Sequence, residues 1–190
     1  MINFRNAKFV KSAFKETEHL QDLPHILLIG KSNVGKSSLI NALVEQKNLA
    51  YVSKTPGQTK LVNYYLIDNK FYLVDVPGFG YRKLAYEKDL FEEMMEGYLK
   101  NNSSLKAVFY LMDSRREITA DEQSVIDYFN DLHYPLEIIL TKEDKLTQSE
   151  KSKIMVNLKK YQLDKDCLFV SINKNKLLMS VKEKIASFIE

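Results

Sequence analysis

The sequence predicts an α/β domain with three layers, in which a mixed, mostly parallel sheet carries helices on both faces. Apolar runs of strand length alternate with segments of helical periodicity, and this alternation is typical of parallel strands joined by helices. Two strands between residues 60 and 76 are separated only by Asp68-Asn69-Lys70, which is too short for a crossover helix. They therefore predict one antiparallel hairpin, centred on Asn69.

The elements follow in a regular order along the chain. Residues 1–24 are expected to form an N-terminal extension that adds an edge strand. The apolar runs that predict the remaining strands are HILLIG, KLVNYYLID, KFYLVDV, LKAVFYLMD, LEIILT and DCLFVS. Helical periodicity covers KSSLINALVEQ and then residues 84–100, 120–132, 148–161 and 176–189. With 190 residues and neither a repeat nor a Pro/Gly-rich linker, the chain predicts a single domain over residues 1–190.

Composition excludes several classes of protein. The single cysteine, Cys167, lies in an apolar run, which rules out a disulfide framework. No apolar run is long enough for a signal peptide or a membrane span, so we expect a cytoplasmic protein without membrane contact. We also expect a monomer, because no long apolar stripe remains beyond those that the core needs.

The charge pattern leaves two interpretations open. The net charge of +3 is mild and does not by itself indicate a nucleic-acid partner. From Thr141 to Glu190, however, there are eleven lysines against seven acidic residues. These lysines form either a solvated helix face or a surface that faces phosphate.

A phosphate-binding loop is the first chemical motif. Residues 30–38, GKSNVGKSS, contain the pattern G-x-x-x-x-G-K-S directly after a predicted strand and directly before a predicted helix. The glycines let backbone N–H groups turn towards phosphates, Lys36 supplies a positive charge, and Ser37 offers a hydroxyl to magnesium. The candidate phosphate-binding residues are Gly30, Lys31, Ser32, Asn33, Val34, Gly35, Lys36, Ser37 and Ser38.

A second motif indicates the base. Thr141-Lys142-Glu143-Asp144 follows the strand LEIIL and has the form TKxD. An aspartate at this place can accept hydrogen bonds from guanine N1 and N2, which adenine does not offer, and the lysine stem can cover the base. The alternative is a polar turn leading into the helix near Thr147. The position of TKxD after the phosphate loop and after DxPG favours guanine.

VDVPGFGY, residues 74–81, predicts a sensor of the third phosphate. Asp75 is placed to hold magnesium through water, and after Pro77 the Gly78 N–H is placed to reach the γ-phosphate. Phe79 stands where Ras-type enzymes have the glutamine that orients water, so we expect slow intrinsic hydrolysis.

A second sensor is expected in SKTPGQTK, residues 53–60, which contains Pro56, Gly57 and Gln58. Thr59 is the preferred magnesium ligand of this segment, and Thr55 is the alternative. The predicted magnesium site is therefore Ser37, Thr59 and Asp75.

In this order, GKSNVGKSSLIN, TPGQT, DVPGFGY, LMDSRR and TKEDKL resemble the EngB family of bacterial Ras-like GTPases. The resemblance covers nearly the whole chain, and NAKFVKSAF is similar to the family's N-terminal extension. It implies a P-loop GTPase fold, binding of GTP and GDP with magnesium, and a nucleotide-dependent switch. It also implies a role in assembly of the large ribosomal subunit, with ribosomal RNA and proteins as partners.

The resemblance also assigns residues. It implies phosphate contacts for Asn33, Gly35, Lys36 and Ser37, magnesium contacts for Ser37 and Thr59, and base recognition by Thr141, Lys142 and Asp144. It further implies that Asn33 helps to hold a potassium ion that stimulates hydrolysis. The alternative is that Asn33 is an ordinary phosphate-loop residue.

Two departures limit the resemblance. Lys31 stands where the family usually has arginine. The last guanine-contacting loop appears as FVSINKNK, without the usual glycine, so that either Val170-Ser171 or Ser171-Ile172 forms the contacting pair. Because this loop acts partly through a backbone N–H, we expect weakened rather than lost guanine binding, with Ser171 as the contact.

Several alternatives stay open. Arg115 and Arg116 approach either the nucleotide or RNA, or else they pair with neighbouring acids. Tyr81 and Arg82, just beyond the γ-phosphate sensor, are candidate partner contacts. The main alternative function is a guanine-nucleotide sensor or scaffold with little hydrolysis and a partner other than the ribosome. A phosphotransferase is disfavoured by TKxD and the two sensor segments.

Overall fold

A computed structural model describes residues 1–51, 61–79, 85–165 and 167–190. Within these residues, seven strands form one sheet in the order β1-β3-β4-β2-β5-β6-β7. The strands are β1 Ala7–Ala13, β2 His25–Gly30, β3 Val62–Ile67, β4 Phe71–Asp75, β5 Leu105–Asp113, β6 Leu136–Thr141 and β7 Cys167–Phe169. The helices are α1 Lys36–Val44, α2 Ala85–Leu99, α3 Ala120–Asp131, α4 Gln148–Lys160 and α5 Asn175–Ile189.

The predicted hairpin is confirmed between β3 and β4, which pair antiparallel. Asp68 and Asn69 adopt φ angles of 52° and 54°, a left-handed conformation that short polar side chains tolerate. The Lys70 N–H closes the turn on the Ile67 carbonyl oxygen at 2.9 Å. A second antiparallel pairing joins β1 to β3, so residues 7–13 of the N-terminal extension form an edge strand.

The remaining neighbours in the sheet pair in parallel, and helices cover both faces as predicted. Helices α1 and α5 pack on one face, where Leu39 and Val181 are buried. Helices α2, α3 and α4 pack on the other face through residues such as Met94, Phe129 and Leu158. The central strands are buried on both faces, which is why they read as continuous apolar runs rather than as alternating patterns.

Parallel strands bring their carboxyl ends to one edge of the sheet. Gly30 ends β2, Asp75 ends β4, Asp113 ends β5 and Thr141 ends β6. Ligands of open α/β sheets bind at this edge, so the fold gathers the predicted motifs in one place. No helix in the described part of the chain is both long and apolar enough to cross a membrane.

Candidate nucleotide-binding site

The phosphate loop connects β2 to α1 with the geometry that an anion site needs. A Cβ atom on Gly30 would lie 2.5 Å from the Leu111 carbonyl oxygen, so only glycine fits there. Gly35 precedes α1 with φ of 112°, and no side chain caps this helix. In contrast, α3 and α4 begin with capping boxes at Thr119 and Thr147. The first N–H groups of α1 are therefore placed to receive phosphate oxygens.

The phosphate loop is in direct contact with the segment that follows β4. The Ser32 N–H donates to the Phe79 carbonyl oxygen at 3.1 Å, and the Ser32 hydroxyl donates to the Gly78 carbonyl oxygen at 3.2 Å. A Cβ atom on Gly78 would lie 2.7 Å from the Ser32 backbone nitrogen. Glycine at position 78 therefore permits the close approach of the two loops, an approach that sequence reasoning did not predict.

Lys36 and Asp75 face each other, with 4.0 Å between Nζ and Oδ1, and both side chains are buried. Burial lowers the pKa of Lys36 and raises the pKa of Asp75 to about 6, while each charge partly offsets this effect on the other. Asp75 Oδ1 has no hydrogen-bond partner among the described residues. A buried carboxylate oxygen beside the phosphate loop, with Ser37 in the first turn of α1, fits a hydrated magnesium ion.

The TKxD motif is attached to the phosphate loop. The Thr141 hydroxyl lies 2.8 Å from the Val34 carbonyl oxygen and 3.0 Å from that of Met112, so its single hydrogen is shared between two backbone acceptors. Lys142 Nζ lies 3.4 Å from the Asn33 carbonyl oxygen, which places the lysine stem across the loop. Asn33 itself is exposed and adopts φ of 63°. Thr141 thus positions the phosphate loop relative to the base motif.

The last guanine loop lies beside Asp144. A hydrogen bond from the Ser171 hydroxyl lowers the pKa of Asp144 and favours the ionised carboxylate that guanine requires. Ser171 is 1% exposed, Val170 is buried and Ile172 is half exposed. The Glu143 N–H donates to the Val170 carbonyl oxygen at 3.1 Å. Both candidate pairs share Ser171, and the structure brings this residue to the base motif.

Glu143, the variable residue of TKxD, has a role that the sequence did not indicate. Its side chain is 5% exposed and contacts Lys151 of α4 and Lys174, the latter at 2.7 Å. The hydrogen bonds from Lys151 and Lys174 lower the pKa of Glu143. This network ties the base motif to the segment that follows Ser171. Nothing in the spacing of the motif could have identified it, because the lysines come from other elements.

Phe79 is a core residue. It is 7% exposed, and its ring centroid lies 6.0 Å from that of Tyr110 in β5. It belongs to the cluster that includes Ile29 and Val76. The Phe79 backbone still contacts the phosphate loop, through a parallel β-bridge with Lys31, but the Phe79 side chain points into the protein interior. Position 79 therefore supplies an anchor for the sensor segment and no hydrogen-bonding group for water.

Arg115 and Arg116, which the sequence places near either a ligand or neighbouring acids, differ in their contacts. Arg115 pairs with Asp113 at 2.8 Å, and Lys142 contacts the same carboxylate at 2.7 Å. Burial opposes ionisation of Asp113, but these hydrogen bonds outweigh it and lower its pKa. Arg116 forms no ion pair with any residue that the structure describes. Lys31, the residue that departs from the family pattern, donates to the Thr119 hydroxyl at 2.7 Å.

Several predicted site residues lie outside the described residues. They are Pro56, Gly57, Gln58 and Thr59, the alternative Thr55, and the candidate partner contacts Tyr81 and Arg82. The second sensor segment therefore stays a prediction. Of the three predicted magnesium ligands, the structure describes Ser37 and Asp75.

The fold and the site define a class of protein: a P-loop nucleotide-binding domain with a guanine-type base motif at the carboxyl edge of its sheet. The model of a family described as 50S ribosome-binding GTPase matches residues 25–142. A protein from Lactobacillus acidophilus named probable GTP-binding protein EngB is 44% identical over 158 residues, which are 82% of this chain and 81% of that protein. The chain belongs to the EngB family of GTP-binding proteins, and it is a GTPase that converts GTP to GDP and phosphate.

Solved structures agree with this fold. A crystal structure of a probable GTP-binding protein engB covers 87% of this chain and 98% of its own, with a TM-score of 0.68 and 20% identity. A crystal structure of Era in complex with MgGDPNP and nucleotides of 16S ribosomal RNA covers 90% of this chain and 58% of its own, with a TM-score of 0.65 and 20% identity. At this level of identity both structures support the fold of the chain.

Proposed function

We propose that this GTPase is a nucleotide-dependent switch in assembly of the large ribosomal subunit, with slow hydrolysis until a partner or cation completes the site. The burial of the Phe79 side chain is the observation that supports slow hydrolysis, because a ring that packs on Tyr110 cannot orient the attacking water. Groups supplied in trans can be worth about a thousandfold or more in rate for GTPases. Membership of a family described as 50S ribosome-binding supports the large subunit as the partner.

The switch would depend on the contact between the phosphate loop and the Gly78 segment. Ser32 joins the two through its hydroxyl and N–H, so a γ-phosphate bound to the loop would lie beside Gly78. Triphosphate would favour one arrangement of the sensor segment and diphosphate another, which is a shift of population between two states. The surface that changes would be read by ribosomal RNA or protein.

Two cations are part of the proposal. Magnesium would be held by Ser37 and Asp75, and by Thr59 if the second sensor is correct; it would neutralise charge on the phosphates. Asp75 Oδ1, which has no hydrogen-bond partner among the described residues, supports this assignment. Potassium would bind near Asn33 and stimulate hydrolysis. Replacing potassium with sodium at constant ionic strength should then lower the rate of phosphate release, and equal rates would remove potassium from the proposal.

The partner is tested by sedimentation with separated large and small subunits, in near-physiological potassium and at a stated salt concentration. We expect co-sedimentation with the large subunit in the presence of a non-hydrolysable GTP analogue, and weaker co-sedimentation with GDP. Binding to neither subunit would favour a guanine-nucleotide sensor with another partner. Binding to the small subunit alone would reject the proposed role. The expected monomeric state is measured on the same preparation by light scattering.

Hydrolysis is tested by single-turnover phosphate release with and without large subunits. The isolated protein should turn over far more slowly than once per second, and large subunits should accelerate it. Turnover of several per second by the isolated protein would show that position 79 does not limit the rate.

A further inference from the structure

A basic groove runs beside the guanine loops and lies outside the nucleotide site. It is a cleft of about 490 Å³ between helix α4 and residues 113–118, which form the end of β5 and the segment after it. We define the basic groove by its five cations, Arg115, Arg116, Lys145, Lys153 and Lys160. The acidic residues of the lining are Asp113, Glu117 and Glu150, so cations predominate.

Two of the acidic residues are already engaged. Asp113 is held by Arg115 and Lys142. Glu150 accepts hydrogen bonds from the Thr147 N–H and hydroxyl at the start of α4, both at 2.7 Å. These carboxylates are therefore committed to local structure, and they offset the cations of the groove only in part.

Three of the cations are exposed and form no ion pair among the described residues. Arg116, Lys153 and Lys160 form no ion pair with any residue in the described part of the chain. Lys153 and Lys160 are seven residues apart on α4, two turns on the same face, or about 10 Å along the helix axis. Arg116 lies on the opposite wall. Three unpaired charges on two facing walls are an arrangement that suits a polyanion better than a single small anion.

We propose that the basic groove binds the phosphate backbone of RNA. Exposed cations that form no ion pair within the protein can neutralise phosphates without breaking existing pairs, and backbone contacts of this kind position a protein on RNA without reading its sequence. The proposal rests on the proposed ribosomal function and deepens it, since it places the RNA contact on the α4 side of the guanine loops.

Within the described part of the chain, the lining of the groove includes none of the residues predicted to contact phosphate, magnesium or base. Its Asp113 wall is fixed to the guanine loop by Lys142, at 2.7 Å, and α4 is fixed to the same loop by Lys151 and Glu143. Both walls are thus anchored to the guanine loops, but Arg116, Lys153 and Lys160 form no ion pair with those loops. Neutralising these cations should leave GDP affinity unchanged.

The test compares wild type with the triple variant Arg116→Gln, Lys153→Gln, Lys160→Gln. The probe is a fluorescent single-stranded RNA oligonucleotide of mixed sequence, titrated at several salt concentrations by anisotropy. Loss of three phosphate contacts should reduce the slope of log K against log salt by about 2, and should weaken binding at least about tenfold near 0.15 M salt. The matched control is Lys8→Gln, Lys47→Gln, Lys106→Gln, which removes the same charge from exposed sites outside the groove.

Large-subunit sedimentation and GDP titration accompany the RNA measurement. If the triple variant keeps wild-type GDP affinity, loses RNA and subunit binding, and the control does not, the proposal is supported. Equal RNA affinity and slope for wild type and triple variant would overturn it, as would an equal loss in the control. Loss of subunit binding with unchanged RNA binding would mean that the groove binds a protein. If wild type fails to bind the large subunit at all, the proposed function fails, while the oligonucleotide still tests the groove.

Discussion

Replacing Phe79 with glutamine restores the residue type of Ras-type enzymes at this position, and the structure predicts that it will damage the protein instead of activating it. The Phe79 ring is 7% exposed and packs against Tyr110, whose centroid lies 6.0 Å away. A glutamine side chain there would leave an amide in an apolar cluster. The backbone contacts of Phe79 with the phosphate loop would still hold position 79 in place.

The cost has three parts. Removing a buried phenyl ring costs about 2 kcal/mol, and the lost aromatic contact adds about 1 kcal/mol. A buried amide without partners adds about 1 kcal/mol or more. Retained methylene groups recover part of the first contribution, so we expect Phe79→Gln to lower the free energy of unfolding by about 3 kcal/mol.

Urea unfolding of both proteins measures this difference, and phosphate release measures any gain in hydrolysis. Phe79→Leu is the control, because it removes the aromatic contact without burying an amide and should cost about half as much. A Phe79→Gln protein whose free energy of unfolding is within 1 kcal/mol of wild type would show that the side chain at position 79 is not confined to the apolar cluster. A variant that hydrolyses GTP at least tenfold faster would show that this side chain reaches the nucleotide site.

Three further predictions concern the loops of the site. Glu143→Gln should weaken GDP binding in a nucleotide titration. Because two lysines lower the Glu143 pKa, the contribution of Glu143 to thermal stability should be present above pH 4.5 and be lost as the pH falls below that value. A difference in stability between variant and wild type that stays constant across acidic pH would contradict this role of Glu143. Thr141→Val should cost about 1 to 2 kcal/mol of stability by leaving the Val34 carbonyl oxygen without its donor, as measured by urea unfolding. Gly78→Ala should reduce affinity for a GTP analogue more than for GDP in calorimetry, since its Cβ would meet the Ser32 backbone; equal losses would reject the sensor role.

The parts of the fold that sequence could predict are those determined by local patterns. Continuous apolar runs identified the buried strands, and the short connection through Asp68 and Asn69 identified the hairpin because those residues tolerate positive φ. The phosphate loop was equally predictable from the sequence, because its glycines and its lysine stand between a strand and a helix. Each of these features depends on residues close together in the chain.

The contacts that complete the site join residues far apart in the chain, which no local pattern records. The Thr141 hydroxyl meets a carbonyl 107 positions earlier, and Glu143 meets a lysine 31 positions later. Phe79 illustrates the limit in another way. The sequence showed that it cannot orient water, but only packing against β5 shows what the ring does.

These long-range contacts also bear on where the proposed switch would respond to the γ-phosphate. Thr141 and Lys142 hold the base motif to the phosphate loop, and Glu143 with Ser171 holds it to the last guanine loop. Because protein groups already make these connections, we expect that neither GTP nor GDP has to order these loops and that the base contributes equally to the binding of both. The Gly78 segment meets the phosphate loop at Ser32, where the third phosphate would add its own contact. A ligand shifts an equilibrium only where its contacts differ between the two states. Under the proposed function, GTP and GDP would therefore differ, among the described residues, at the Ser32–Gly78 contact and at the Lys36–Asp75 pair.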